Sequence, residues 1–306
     1  MKVNVCISEN DLRAVSNIII NGTYPNETRY NGWFSQYPIR LSKEKEEYFN
    51  LDFGKEKDII ALIFLATIWN MPNYKWENAA GLIVILYKRD LVNIKEWCNR
   101  SFIDGLNKET LEREMNELAR MACRKEDSNL HKRGNLYIKK GKDGVFERLH
   151  KIACEYEYLK DILRIDEILK GHKPQINPSI FDRMNDKRLK IEINGKNGKV
   201  IRKPLIRVKV PLILRELKCS DRINIADEYC CVPDTKVKGI MKTIGFPYYP
   251  DFDTNSVIEN SKIISKYFNY FYDLPLFDFA DNCKKEKNVT CTNNTCAIFN
   301  YCAKNN

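Results

Sequence analysis

The run DIIALIFLATIW, from Asp58 to Trp69, is apolar nearly all the way round. A helix without a polar face has to be covered on every side, so this segment belongs at the centre of a helical domain. WENAAGLIVILYKR, from Trp76 to Arg89, reads as a second helix, with Pro72 and Asn73 breaking the two apart. With only 13 glycines and 11 prolines in 306 residues, an all-α architecture is expected. A chain of that length buries a large core, in one two-lobed unit or in two domains.

Around this centre the periodicity varies. Residues 1–57 are aromatic and polar without a long repeat, and they are expected to be irregular cover packed on the C-terminal lobe. Residues 107–126 and 143–170 are amphipathic and heavily charged, as surface helices are. LKIEINGKNGKVIRK, from Leu189 to Lys203, switches to alternation around Asn194-Gly195 and Asn197-Gly198, which is a β-hairpin signal. Helices are expected again at Val210–Leu217, Asp234–Gly245 and Ser256–Leu274. The expected division is an N-terminal segment 1–57, a helical lobe 58–218 with an insertion at about 91–200, and a C-terminal lobe 219–306.

Four of the 11 cysteines converge at the end of the chain: Cys283, Cys291, Cys296 and Cys302 form the pattern C-x7-C-x4-C-x5-C. Four soft sulfur ligands on a short loop suit a 4Fe-4S cluster or a tetrahedral zinc, against the plainer readings of coincidence or disulfides. The odd total argues against a disulfide framework. Met1 to Asp11 has neither a basic start nor an apolar run, and no stretch reaches the ~18 apolar residues of a membrane span. A soluble, cytoplasmic protein is therefore expected.

The net charge of +10 favours an anionic partner, and it is unevenly placed. Lys187 to Lys218 holds 11 Lys or Arg against only Glu192 and Glu216. Such a strip is either a solvated face or a phosphate-binding one. The candidate phosphate contacts are Arg202, Lys203 and Arg207, joined by Lys236 and Lys238 in the segment VPDTKVKGIMKTIG, from Val232 to Gly245. In that segment Asp234 follows Pro233, where a helix begins and where a carboxylate caps free N–H groups.

Taken with the terminal cysteines, VPDTKVKGIMKTIG resembles the helix-hairpin-helix glycosylase superfamily, in its endonuclease III branch with an iron-sulfur cluster loop. That family's V-D-T-H-V-x-R-V-x-x-R-L-G carries the catalytic aspartate about fifty residues before the first cluster cysteine. Here Asp234 precedes Cys283 by 49 residues. The resemblance extends to DIIALIFLATIW and the helix after it, covering residues 58–90 and 203–302. The family's cysteine pattern, C-x6-C-x2-C-x5-C, differs by one and two residues in its first two spacings and matches in the last. Its L-P-G-V-G-x-K-T-A hairpin corresponds to KPLIRVKVPLILRE, with Pro204 and Lys209 in register and Leu205 and Arg207 in place of glycines.

The resemblance implies a two-lobed all-helical fold with a cluster loop and a monomer acting on double-stranded DNA. It implies cleavage of an N-glycosidic bond, with Asp234 as the catalytic carboxylate. Lys209 occupies the place of the lyase nucleophile, 25 residues before Asp234. Trp69 is a candidate for stacking on a base or for the core. Two other classes remain open: an iron-sulfur nucleic-acid-binding protein without catalysis, and a glycosidase acting on RNA or a modified nucleoside.

Overall fold

The computed structural model describes residues 8–27, 29–42, 45–122, 130, 135–194, 199–283 and 296–301. It is mostly helical, and among the described residues its only sheet is two-stranded. The chain divides into two units, Asn31–Asn224 and a second made of Met1–Tyr30 with Ile225–Asn306. The sequence reading grouped 1–57 together, whereas the structure places 31–57 in the larger unit.

The larger unit is built on helix Glu56–Trp69. Every residue from Asp58 to Trp69 is buried, as an all-apolar surface demands. Helices Trp76–Lys88 and Val145–Cys154 pack against it. Each large aliphatic side chain enclosed there contributes roughly 1.5–3 kcal/mol. Asp58 is a buried carboxylate in the first turn. It accepts from the Tyr87 hydroxyl at 2.6 Å and from the Asp52 N–H at 2.5 Å, so burial leaves it fully bonded. The phenol of Tyr87 is pushed up to about 12, by desolvation first and then by the bond to Asp58.

Residues 143–170 form three short helices: Val145–Cys154, Tyr156–Leu163 and Ile165–Leu169. Arg164 in the left-handed region, at φ 56°, turns the chain between the last two. The hairpin pairs Lys190–Asn194 with Val200–Pro204 in antiparallel register, from Lys190 opposite Pro204 to Asn194 opposite Val200. Its turn, 195–198, lies outside the described residues.

The second unit corrects the expectation of irregular structure at the N-terminus. Glu9–Thr23 is a 15-residue helix, N-capped by Ser8, which accepts from the Asp11 N–H. Leu12, Val15, Ser16 and Ile19 form its buried stripe, at helical spacing that the surrounding polar residues obscure. It packs on helices Thr254–Phe268 and Leu274–Asn282, and the last of these packs on Thr235–Ile244. The expected continuous helix across Ser256–Leu274 breaks at Asn269 and Tyr272, both at positive φ, before the Leu274–Asn282 helix restarts with Pro275 in its first turn.

Candidate functional site

Asp234 is the N-cap of helix Thr235–Ile244. Its Oδ1 accepts from the backbone N–H of Lys236 at 2.9 Å and of Val237 at 3.0 Å. A half-buried carboxylate in this place is favoured by the positive end of the helix dipole and has its direction fixed. The segment leading to it is tied down from elsewhere in the unit. The buried Asp273 accepts from the Val232 N–H at 2.7 Å, and Ser261 Oγ accepts from the Cys231 N–H at 3.0 Å. Asp273 and Ser261 carry no sequence signal, because their partners lie 41 and 30 residues away. The C-terminal end of the helix closes on Gly245 at φ 93°, a left-handed cap that suits glycine.

Of the two lysines in this helix, Lys236 lies 3.5 Å over the ring of Phe277. Lys238 is buried and donates to the carbonyls of Pro250 at 2.6 Å and Asp251 at 2.7 Å, with Phe252 beneath it. Its ammonium ties the 250–251 main chain to this helix.

Lys209 belongs to the larger unit. It closes a 3-10 turn, Arg207–Lys209, that runs into helix Val210–Cys219, and Pro211 pre-sets the first turn of that helix. The turn is held from below by Asn70, which donates to the carbonyls of Pro204 at 3.1 Å and Leu205 at 3.0 Å. Lys209 is only 3% exposed, with its Nζ 3.8 Å from the ring centre of Trp69. Trp69 in turn meets Trp33, and Trp33, Tyr37 and Trp76 complete an aromatic cluster with ring separations of 4.4 to 5.7 Å. The buried pair Arg215 and Glu216 borders it, with Glu216 accepting from the Trp33 N–H at 2.8 Å. A cation over a desolvated tryptophan gains about 2 kcal/mol.

Several cations of the basic strip have partners within the larger unit. Lys209 and Arg215 are buried. Arg202 pairs with Glu192 at 2.7 Å across the hairpin, Arg188 pairs with Asp186, and Lys203 reaches Asp143 at 2.8 Å. Asp143 also takes the buried Arg148 at 2.6 Å. Burial alone would raise the Asp143 carboxyl, but the Lys203 hydrogen bond and the Arg148 charge outweigh it and hold the group below the usual carboxylate range. Arg207 is half-buried.

The four terminal cysteines divide. Cys283 and Cys296 are half-buried thiols, neither in a disulfide, and they flank the segment 284–295. Cys291 and Cys302 lie outside the described residues. Among the described residues no three His, Cys, Asp or Glu side chains converge as a metal site. The two described thiols fit soft metal ligation by their chemistry and their reduced state.

No protein-family model, no curated protein and no solved structure matches this chain. Among the described residues no helix is long and apolar enough to cross a membrane. Lys209 and Asp234 fall in different units, each with its own supporting residues.

Proposed function

We propose that the protein is an N-glycosylase of the helix-hairpin-helix type, cleaving the bond between a base and its sugar in DNA. The observation that supports this reading best is Asp234: a half-buried carboxylate aimed by the start of helix Thr235–Ile244 and anchored through Asp273 and Ser261. Its anionic charge opposes the cation that develops on the sugar as the base departs, and it orients the water that attacks the same carbon. Before that step the nucleotide leaves the base stack, at a cost of a few kcal/mol. Arg202, Lys203 and Arg207 would meet phosphate in this reading, Arg202 from the exposed face of the hairpin.

Lys209 enters only if the protein is also a lyase. Its amine would then displace the base and carry the sugar as a Schiff base, which leads to strand scission. Borohydride added during turnover on abasic DNA tests this branch. Trapped enzyme that is lost in Lys209→Gln supports it, and trapping that survives the substitution assigns Lys209 to the tryptophan cluster alone.

Cys283, Cys291, Cys296 and Cys302 would hold a 4Fe-4S cluster, which ties down the chain end and does no chemistry on the base. Protein purified without oxygen should then be brown and contain about four irons and four sulfides. One zinc and no colour would leave a structural site only. In either case Cys296→Ser should loosen the chain end, because ligation and folding of such a loop are coupled.

A second reading is favoured by the burial of Lys209 over Trp69 and of Lys238 against the Pro250 and Asp251 carbonyls, which takes two of the candidate cations off the surface. It is an N-glycosidase for RNA or a modified nucleoside, with the same Asp234 chemistry. Release of free base from oligonucleotides or from nucleosides, compared side by side, separates the two.

A further inference from the structure

The hairpin of the larger unit belongs to the core at one end and is bare at the other. Leu189 and Ile191 are buried, and Asn70 donates to the carbonyls of Pro204 at 3.1 Å and Leu205 at 3.0 Å, so this end is fixed. Towards the turn, Val200 is 53% and Ile201 42% exposed, the highest values of any large aliphatic side chain among the described residues. The register puts them on opposite faces. Ile201 stands across from Ile193, on the face of Ile191 and Lys203, whereas Val200 stands across from Asn194, on the face of Glu192 and Arg202.

Two apolar side chains set back to back cannot both be covered by a flat surface. A bilayer, or a protein sheet lying on the ribbon, reaches one face and leaves the other in water. A cleft with two walls covers both. Charge says what kind of cleft: from Lys187 to Lys203 there are seven Lys or Arg against Glu192 alone, which calls for a polyanion. Lys187, Lys199 and Arg202 are exposed. In the Arg202–Glu192 pair, at 2.7 Å, both partners are open to water, and such a pair exchanges readily for another anion. The major groove of B-form DNA, about 12 Å wide, admits a two-stranded ribbon, whereas its minor groove and the deep, narrow major groove of duplex RNA do not.

We propose that the outer end of this hairpin is a DNA contact that enters the major groove, with Val200 and Ile201 against base edges and Lys199 and Arg202 on the phosphates that border them. The apolar pair meets thymine methyl groups, an apolar feature of that groove. Ile193 backs Ile201 from the facing strand. The contact rests on the DNA reading above for its partner, but it supplies affinity and not chemistry, so it is measured by binding rather than by base release.

The test is fluorescence anisotropy with the full-length protein and a short labelled DNA duplex, over a range of salt concentrations. Duplex RNA of the same sequence and phosphatidylserine vesicles serve as the competing anionic partners. Val200→Ser with Ile201→Ser should weaken DNA binding about tenfold and leave the salt slope unchanged. Lys199→Gln with Arg202→Gln should weaken it and reduce the slope by about two, one for each phosphate contact. Duplex RNA should bind the wild type about tenfold more weakly than DNA. Melting curves of both variants should overlay that of the wild type, because the four side chains are exposed. Unchanged DNA affinity in the Val200 and Ile201 variant, equal affinity for the two duplexes, or binding to vesicles in place of DNA would overturn the proposal. DNA bound as expected without any base release would remove the glycosylase reading and leave the hairpin contact standing.

Discussion

The two units hold their buried charges in different ways. In 31–224, cations meet carboxylates or rings: Arg148 and Lys203 share Asp143, Arg215 lies against Glu216, and Lys209 covers Trp69. In the other unit, charges meet backbone: the half-buried Asp234 and the buried Asp273 accept from main-chain N–H groups, and Lys238 donates to two carbonyls. A charge paired with a charge leaves an uncompensated ion behind when its partner is neutralised. A carboxylate paired with an N–H is replaceable by an amide, whose oxygen accepts the same bond. The difference separates residues whose charge the fold requires from residues whose charge is spare for chemistry.

The largest effect is therefore expected at Asp143. Asp143→Asn should cost about 3 kcal/mol in urea unfolding, because Arg148 stays buried without its counter-ion. Folding lowers the Asp143 carboxyl. Its contribution is thus complete above the unfolded value of roughly 3.9 and is lost as the pH falls through the lower folded value. The substitution should flatten that acid limb of the stability curve. Equal stability across pH would place Arg148 in water and erase the contrast between the units.

A smaller loss is expected at Asp273. Asp273→Ala leaves the Val232 N–H without its acceptor and should cost about 2 kcal/mol, while Asp273→Asn should recover most of it. Failure of the asparagine to recover stability would mean that this buried charge also answers another charge. The smallest effect belongs to Asp234. Asp234→Asn should change stability by less than about 0.5 kcal/mol and Asp234→Ala by about 1 kcal/mol, the ordinary value of a helix cap.

The elements legible from sequence were those with strong local signals. Helices Glu56–Trp69 and Trp76–Lys88 follow from apolar periodicity and an intervening proline, and the hairpin follows from alternation around two Asn-Gly pairs. Asp234 as a cap follows from its place after Pro233. Helix Glu9–Thr23 was hidden because only four buried positions, spread among polar residues, mark it. The breaks at Arg164, Asn269 and Tyr272 carry no glycine to announce a positive φ. Charge counting along Lys187–Lys218 could not reveal that Lys203 finds Asp143, 60 residues earlier, or that Lys209 turns onto Trp69. Those are tertiary pairings, which a count of charges along the chain does not contain.

The measurement that decides the glycosylase reading is release of free base by the wild-type protein and by Asp234→Asn. It should be followed chromatographically over a panel of damaged and modified oligonucleotides and nucleosides, with the melting temperature of both proteins recorded alongside. N-glycosylase chemistry predicts base release by the wild type, a loss of at least about a thousandfold in Asp234→Asn, and superimposable melting curves, since the amide keeps the cap but not the charge. Base release at equal rates by the two proteins would contradict it, as would the absence of any released base across the panel.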